Sequence, residues 1–371
     1  MRVAYTLEQC WHTVPGGTAR AALKIAAELE RRSEVRLHQV AGRHAVVPPA
    51  EFRPVGTVAM LPLARPLLYE SWTRLRWPRV ESVTGPIDVA HATGLVPCAT
   101  NAPLVVTLHD LAFMHDPDKF SKHGVRIMTR SLEVIRRRAD RILCPSRATF
   151  DDCRAAGLHE SRLRLVPLGV DPHVATPFSV ERLRRNHRLP DEFVLFVGTL
   201  EPRKNLQRLV AAMARRATKQ TLVVAGAAGW GDTVEPDGVD VRFLGFVPDS
   251  ELMALYAAAS VFAYPSEREG FGLPVAEAMV QGTPVVTSAG TSTEEVAGGA
   301  AVLVDPLDVE SIASGIDTAF DRRSDLSGQG LRRAAELGWD VAADRTIAVY
   351  RELVPGSGAP NVQATGEEGA R

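Results

Sequence analysis

The chain has 371 residues, more than one hydrophobic core usually serves, so two domains of ordinary size are expected. Its composition, 45% hydrophobic and 23% charged, is that of a folded globular protein, and a net charge of −1 gives no global drive towards nucleic acid. No apolar run approaches the roughly 18 residues of a membrane span, and the four cysteines (Cys10, Cys98, Cys144, Cys153) lack CxxC spacing, which reads as reduced, mostly buried thiols in a cytoplasmic protein.

The N-terminus, MRVAYTLEQCW, reads as a buried first strand; it lacks the apolar core and cleavage site of a signal peptide. Strands are expected at Val3–Thr6, Val35–Ala41, Asp88–Ala92, Leu104–His109, Arg141–Pro145 and Leu163–Pro167. Amphipathic stretches such as Thr18–Arg31 and Ser121–Arg138 separate several of them. A Pro- and charge-rich break, Pro167–Glu192, follows. A second series of strands covers Phe193–Thr199, Thr221–Gly226, Val241–Leu244, Val261–Tyr264, Pro284–Thr287 and Ala300–Val304, with helical patterns at Leu206–Arg215 and Ser250–Ala258. Such alternation predicts an α/β protein with two doubly wound parallel sheets, and a ligand at the carboxyl ends of the strands between the two domains. The stretch from Pro355 reads as a disordered tail.

Two segments carry the chemistry. In PSEREGFGLPVAEAMVQGTPVV, from Pro265 to Val286, Glu269 and Glu277 are separated by Gly270, Gly272 and Pro274. Pro274 suits the first position of a helix that stops at Gly282. Glu269 is then on a loop and Glu277 is in the first turns. The amides and dipole at the helix start form an anion site. Carboxylates flanking such a site suit the hydroxyls on either side of a pyrophosphate: Glu277 on a ribose, Glu269 on a hexose, each charge-assisted bond giving about 1.5–3 kcal/mol. The competing readings are a helix-dipole role for Glu277, giving about 0.3–1 kcal/mol, a solvated loop acid at Glu269, and a hydrolase acid–base pair, which explains neither the glycines nor the helix start.

The other segment is VGTLEPRKNLQRLV, Val197–Val210. Its strand ends at Thr199, and Asn205 can cap the next helix. Arg203 and Lys204 just outside that helix oppose its dipole and call for an anion, although most isolated Arg-Lys pairs are simply solvated.

Together with FLGFVPDSEL (Phe243–Leu252) and VTLHDLAF (Val106–Phe113), these segments resemble retaining glycosyltransferases of the GT-B fold, family 4 (group 1), over nearly the whole chain up to about Val354. The resemblance implies two Rossmann-like domains facing across a cleft. The N-terminal acceptor domain would span 1–170 and the nucleotide-sugar domain 171–345, with a helix crossing back at 346–354 and the tail at 355–371. It places Glu269 near the transferred sugar and Glu277 on the ribose. The backbone of Gly270, Phe271, Gly272 and Leu273 would form the donor loop, and Arg203 and Lys204 would meet the diphosphate. His109 would face the donor sugar, and Gly17, in PGGTAR, would line the cleft. The loops around Gly198, Thr199 and Val247 would meet the base. The implied reaction is hexosyl transfer from a nucleoside-diphosphate sugar to an acceptor hydroxyl with retention, and GTLEPRKN leans towards mannosyl donors. The acceptor could be a glycan, a lipid-linked glycan or a small molecule.

No required metal is expected; Asp116 and Asp118 form a DxD that reads as a turn. Glu294, in TSTEEV, stands where relatives often carry proline. Two basic stretches of the first domain, Arg65–Arg79 with Trp72 and Trp77, and Lys122–Arg141, suit either a solvated surface or a peripheral contact with anionic lipid. Alternatives to the transferase are a nucleotide-sugar epimerase, a sugar phosphorylase and a non-catalytic nucleotide-sugar binder. A dehydrogenase is disfavoured because no GxGxxG follows the first strand.

Overall fold

The computed structural model describes residues 1–13, 15–227, 236 and 238–354; the expected tail from Pro355 lies outside the described residues. Both series of strands build parallel sheets. The first sheet contains β1 (Arg2–Thr6), β2 (Arg36–Ala41), β3 (Val58–Met60), β4 (Val89–Ala92), β5 (Leu104–Thr107), β6 (Arg141–Cys144) and β7 (Leu163–Leu165), in the order β3-β2-β1-β4-β5-β6-β7. The second contains β8 (Phe193–Val197), β9 (Thr221–Ala225), β10 (Val241–Gly245), β11 (Val261–Tyr264), β12 (Val285–Ser288) and β13 (Val302–Val304), in the order β10-β9-β8-β11-β12-β13. Counted within each sheet, both carry the doubly wound Rossmann order, which reverses beside the first strand. Central strands such as β8, FVLFV, are buried at every residue, as expected where helices cover both faces.

Strand β3 was not anticipated: VAM is short, half-exposed and lies at the sheet edge, so it has no periodic signal. The expected break also narrows. Pro177–His187 is helical, with the Thr176 side chain capping Ser179 N–H and Pro177 in the first turn. This helix packs on the Asp249–Ala258 helix of the second sheet. The last helix, Trp339–Arg351, starts upstream of the expected 346 and packs on the Gly17–Glu30 helix of the first sheet. Tyr350, fully buried, bonds His91 of β4 at 2.6 Å. All four cysteines are buried and free; Cys144 and Cys153 sulfurs lie 3.8 Å apart. Among the described residues no helix is long and apolar enough to cross a membrane.

Candidate active site

The switch point of the second sheet lies between β8 and β11, the strands that precede the two segments singled out in the sequence. After β11 the chain runs through Pro265–Gly272 into the Leu273–Val280 helix, with Pro274 in the first turn. The two glycines have different causes. Gly272 sits at the N-cap with φ +109°, and a Cβ there would lie 2.8 Å from Thr293 Cγ2. Gly270 meets the other domain: a Cβ would lie 2.1 Å from the His109 carbonyl oxygen. The helix ends at Val280 with Gln281 as its C-cap, and Gly282, the expected stop, follows at φ +69°.

Glu269 is largely buried, and both its oxygens have partners. Its Oε1 accepts from the Tyr264 hydroxyl at 2.7 Å and from Ser266 at 3.0 Å; its Oε2 pairs with Arg203 Nη1 at 2.9 Å. Burial pushes this carboxyl up, but the charges of Arg203 and Lys204 and the Tyr264 hydrogen bond outweigh it and hold the group below the ordinary glutamate value. Arg203 is clamped in turn. Its Nε pairs with Glu201 at 2.8 Å and its Nη1 donates to the Arg268 carbonyl at 2.9 Å. Burial would lower its pKa, yet the two carboxylates raise it further. The anion that the Arg-Lys pair called for is therefore, at Arg203, supplied by the protein itself.

Lys204 differs. Its stem crosses Gly198, where an added Cβ would lie 2.7 Å from Nζ, and its ammonium lies 5.9 Å above the Tyr264 ring. Among the described residues no carboxylate forms an ion pair with it. Asn205 stands at the N-cap of the Leu206–Arg215 helix, but it does not cap it. It is left-handed, φ +64°, and its side-chain amide donates to the Pro265 and Pro306 carbonyls, which fastens the β8 loop to the β11 loop. Thr199 bonds Glu201 at 2.5 Å. Val247 is buried in the loop after β10, and its neighbour Phe246 is exposed.

Glu277 lies on the Leu273–Val280 helix and is buried. Its Oε1 pairs with Arg20 Nη1 at 2.8 Å, and its Oε2 accepts from Tyr256 at 2.9 Å. Arg20 also pairs with Asp249. Here burial dominates, and Arg20 and Tyr256 offset it only in part, so the carboxyl is raised. Arg20 belongs to the helix that Gly17 opens, and a Cβ on Gly17 would lie 3.6 Å from Leu273 Cδ1. The glycine loop of the first domain thus abuts the Leu273–Val280 helix of the second.

His109 follows β5 and its Nε2 lies 3.1 Å from the Thr93 carbonyl. A carbonyl only accepts, so Nε2 carries the proton and Nδ1 is the free acceptor. Burial lowers its pKa and keeps the ring neutral. Ser146 and Thr149, at the start of the Arg147–Ala155 helix, both donate to the Gly270 carbonyl, at 2.7 and 3.2 Å. The Glu295 carboxylate accepts from the Arg147 and Ala148 amides at 2.6 and 2.8 Å, capping that helix from the opposite domain. Sequence reasoning missed Tyr264, Tyr256, Glu201, Glu295 and the role of Arg20. Arg20 and Glu201 lay inside segments already singled out, but nothing local tells which acid they serve.

Two parallel doubly wound domains that meet near their switch points, with the paired acids Glu269 and Glu277 and with Lys204 in the second domain, have the GT-B architecture of glycosyltransferases. The model of glycosyl transferases group 1 matches residues 179–333, and that of glycosyltransferase family 4 matches residues 15–174. The chain belongs to glycosyltransferase family 4. It is 33% identical over 267 residues to O-antigen chain mannosyltransferase B of Escherichia coli, covering 67% of this chain and 70% of that one. It is 31% identical over 310 residues to D-inositol 3-phosphate glycosyltransferase 1 of Catenulispora acidiphila, covering 73% and 74%. The structure of Anabaena HepE with UDP and glucose shares the fold, with TM-score 0.70 and 20% identity over 95% of this chain and 100% of that one.

Proposed function

We propose that this glycosyltransferase moves a hexosyl group from a nucleoside-diphosphate sugar to an acceptor hydroxyl with retention, and that the hexose is mannose. The observation that carries the donor reading is the convergence of Glu269, Glu277 and Lys204 at the switch point of the second sheet. Mannosyl transfer is favoured by the likeness to the Escherichia coli mannosyltransferase.

In this reading the ribose hydroxyls donate to Glu277, with Arg20 yielding part of its hold. The diphosphate lies against the amides at the start of the Leu273–Val280 helix and against Lys204. Arg203 is a positioning residue that keeps Glu269 ionised and oriented towards the hexose. Glu269 is a poor nucleophile for double displacement, because Arg203, Tyr264 and Ser266 already occupy its oxygens. Same-face attack fits better: the anomeric carbon–phosphate oxygen bond breaks, the bond to the acceptor oxygen forms on the same face, and the departing phosphate takes the acceptor proton. Catalysis is then positioning plus stabilisation of the leaving diphosphate. The neutral His109, against Gly270, holds the sugar side of the cleft.

The test is titration of the protein with UDP, GDP, ADP and dTDP in EDTA, beside Glu277→Gln. Metal-free binding of one nucleotide, weakened in the variant, is expected. Binding of none overturns the donor reading. Release of inorganic phosphate-dependent products, or an epimerised donor, would favour a phosphorylase or an epimerase instead.

A further inference from the structure

We infer that the acceptor carries an apolar group, an alkyl or aryl aglycone, beside the hydroxyl that receives the sugar; the inference rests on the transferase reading above. A cavity of about 600 Å³ opens on the first domain at the carboxyl ends of β1, β4 and β5. That size is ordinary for a site enclosing a small molecule. Its surface is divided. The loops after the three strands contribute polar groups, Glu8, Gln9, Thr93 and His109. Most of the remaining lining is apolar, Tyr69 of the Leu67–Arg74 helix, Phe113, Leu95, and Ile127 and Met128 of the Lys122–Arg138 helix, with His12, Arg65, Asp110 and His123 between them.

The polar part is anchored by a buried carboxylate. Glu8 is 3% exposed. The Gly42 amide donates to its Oε2 at 2.7 Å, and His44 Nε2 lies 3.1 Å from both oxygens but with hydrogen-bond geometry only towards Oε2. Oε1 accepts no hydrogen bond among the described residues but is shut off from solvent beside His44, so the polar groups that line the cavity for a ligand hydroxyl are Gln9, Thr93 and His109. His109 lines the cavity and also packs its carbonyl against Gly270, next to Glu269, so one residue borders both the cavity and the loop of the second domain. A hexose lying against the Phe113–Met128 wall would lose water from its hydroxyls without return, whereas an alkyl or aryl group is driven there by its own burial.

The experiment is calorimetric titration of the full chain with methyl and hexyl α-mannosides and the matching α-glucosides, with and without saturating nucleoside diphosphate. For at least one sugar the hexyl form should bind tenfold or more tightly than the methyl form, since two buried methylenes already give about that factor. Met128→Ser and Leu95→Ser should cut the advantage to about threefold or less and leave nucleotide affinity intact. Equal affinities, binding of neither form, or a hexyl advantage that both variants retain overturns the proposal. A hexyl preference of the expected kind in a chain that binds no nucleoside diphosphate upholds the apolar site and fails the transferase reading.

Discussion

Arg20 Nη1 lies 2.8 Å from Glu277 Oε1, although the two residues are 257 positions apart in the chain. The pair bridges the two domains: Arg20 stands on the first helix of one and Glu277 on the Leu273–Val280 helix of the other. With Tyr256 on Oε2 and Asp249 on the same guanidinium, the carboxylate that the sequence assigned to a ribose also helps hold the two domains together.

Glu277→Gln should weaken binding of the preferred nucleoside diphosphate by roughly tenfold to a hundredfold, the loss of one or two charge-assisted bonds to hydroxyls. Arg20→Ala leaves a buried carboxylate without its cation and should lower stability by about 1–3 kcal/mol. Calorimetric titration and urea denaturation read the two effects separately. Unchanged nucleotide affinity in Glu277→Gln would contradict the ribose assignment.

The two glutamates should respond to pH with opposite sign. Glu269 is depressed in the folded protein, so its contribution to stability is present above the ordinary glutamate pKa and is lost as pH falls through the native value. Glu277 is raised, so the folded state binds its proton more tightly, and the stability tied to that proton is lost as pH rises from the ordinary value through the native one. Melting temperatures between pH 4 and 8 should therefore show Glu269→Gln most damaging at the upper end and Glu277→Gln most damaging at the lower end. Parallel profiles would show that the charges around one of the acids are misjudged.

Lys204 and Arg203 should separate in their effects. Lys204→Ala removes a cation that no carboxylate pairs with among the described residues, so stability should change little while kcat falls about 10²–10³-fold, the scale of one lost contact to the developing leaving-group charge. Arg203→Ala uncovers both Glu201 and Glu269 and should lower stability as well as kcat. Steady-state kinetics beside denaturation curves distinguish them. An active, destabilised Lys204→Ala would reverse their roles.

Gly270→Ala places a methyl group 2.1 Å from the His109 carbonyl, so the domains must part to admit it. Transfer should fall at least about tenfold while the fold survives, since a shift near an ångström at the reacting groups costs that much or more. Gly272→Ala, at φ +109° and against Thr293, should cost about 1–3 kcal/mol of stability as well. Wild-type activity in Gly270→Ala would show that the contact with His109 does not set the cleft.

The basic face of the first domain gives a fifth test. The two basic stretches are neighbours, since the Leu67–Arg74 helix packs on the Lys122–Arg138 helix. Trp72 is buried, its indole N–H donating to the Pro78 carbonyl, so it cannot anchor at a membrane as its sequence neighbourhood suggested. Trp77, Leu75 and Leu67 are exposed beside Arg74, Arg76 and Arg79. Co-sedimentation with vesicles of phosphatidylglycerol at low salt, reversed by 0.5 M salt at about a 4 Å screening length and weakened in Trp77→Ala, is the expected result. No binding at low salt would leave these residues a solvated face.

The sequence by itself determined the alternation of strands and helices, because buried parallel strands read as unbroken apolar runs, and it determined the turn from β11 into the next helix, because Gly270, Gly272 and Pro274 have few backbone roles open to them. It also placed Glu269, Glu277, Arg203 and Lys204 in two segments that belong together. Only the tertiary structure decided how their charges are spent. Arg203 is held by Glu201 and Glu269 while the adjacent Lys204 forms no ion pair among the described residues, and Asn205 ties two loops instead of capping its helix. Those choices depend on which atoms lie within about 3 Å after folding. The partners come from distant parts of the chain, Arg20 with Glu277 and Ser146 with Gly270, so no local spacing or periodicity encodes them.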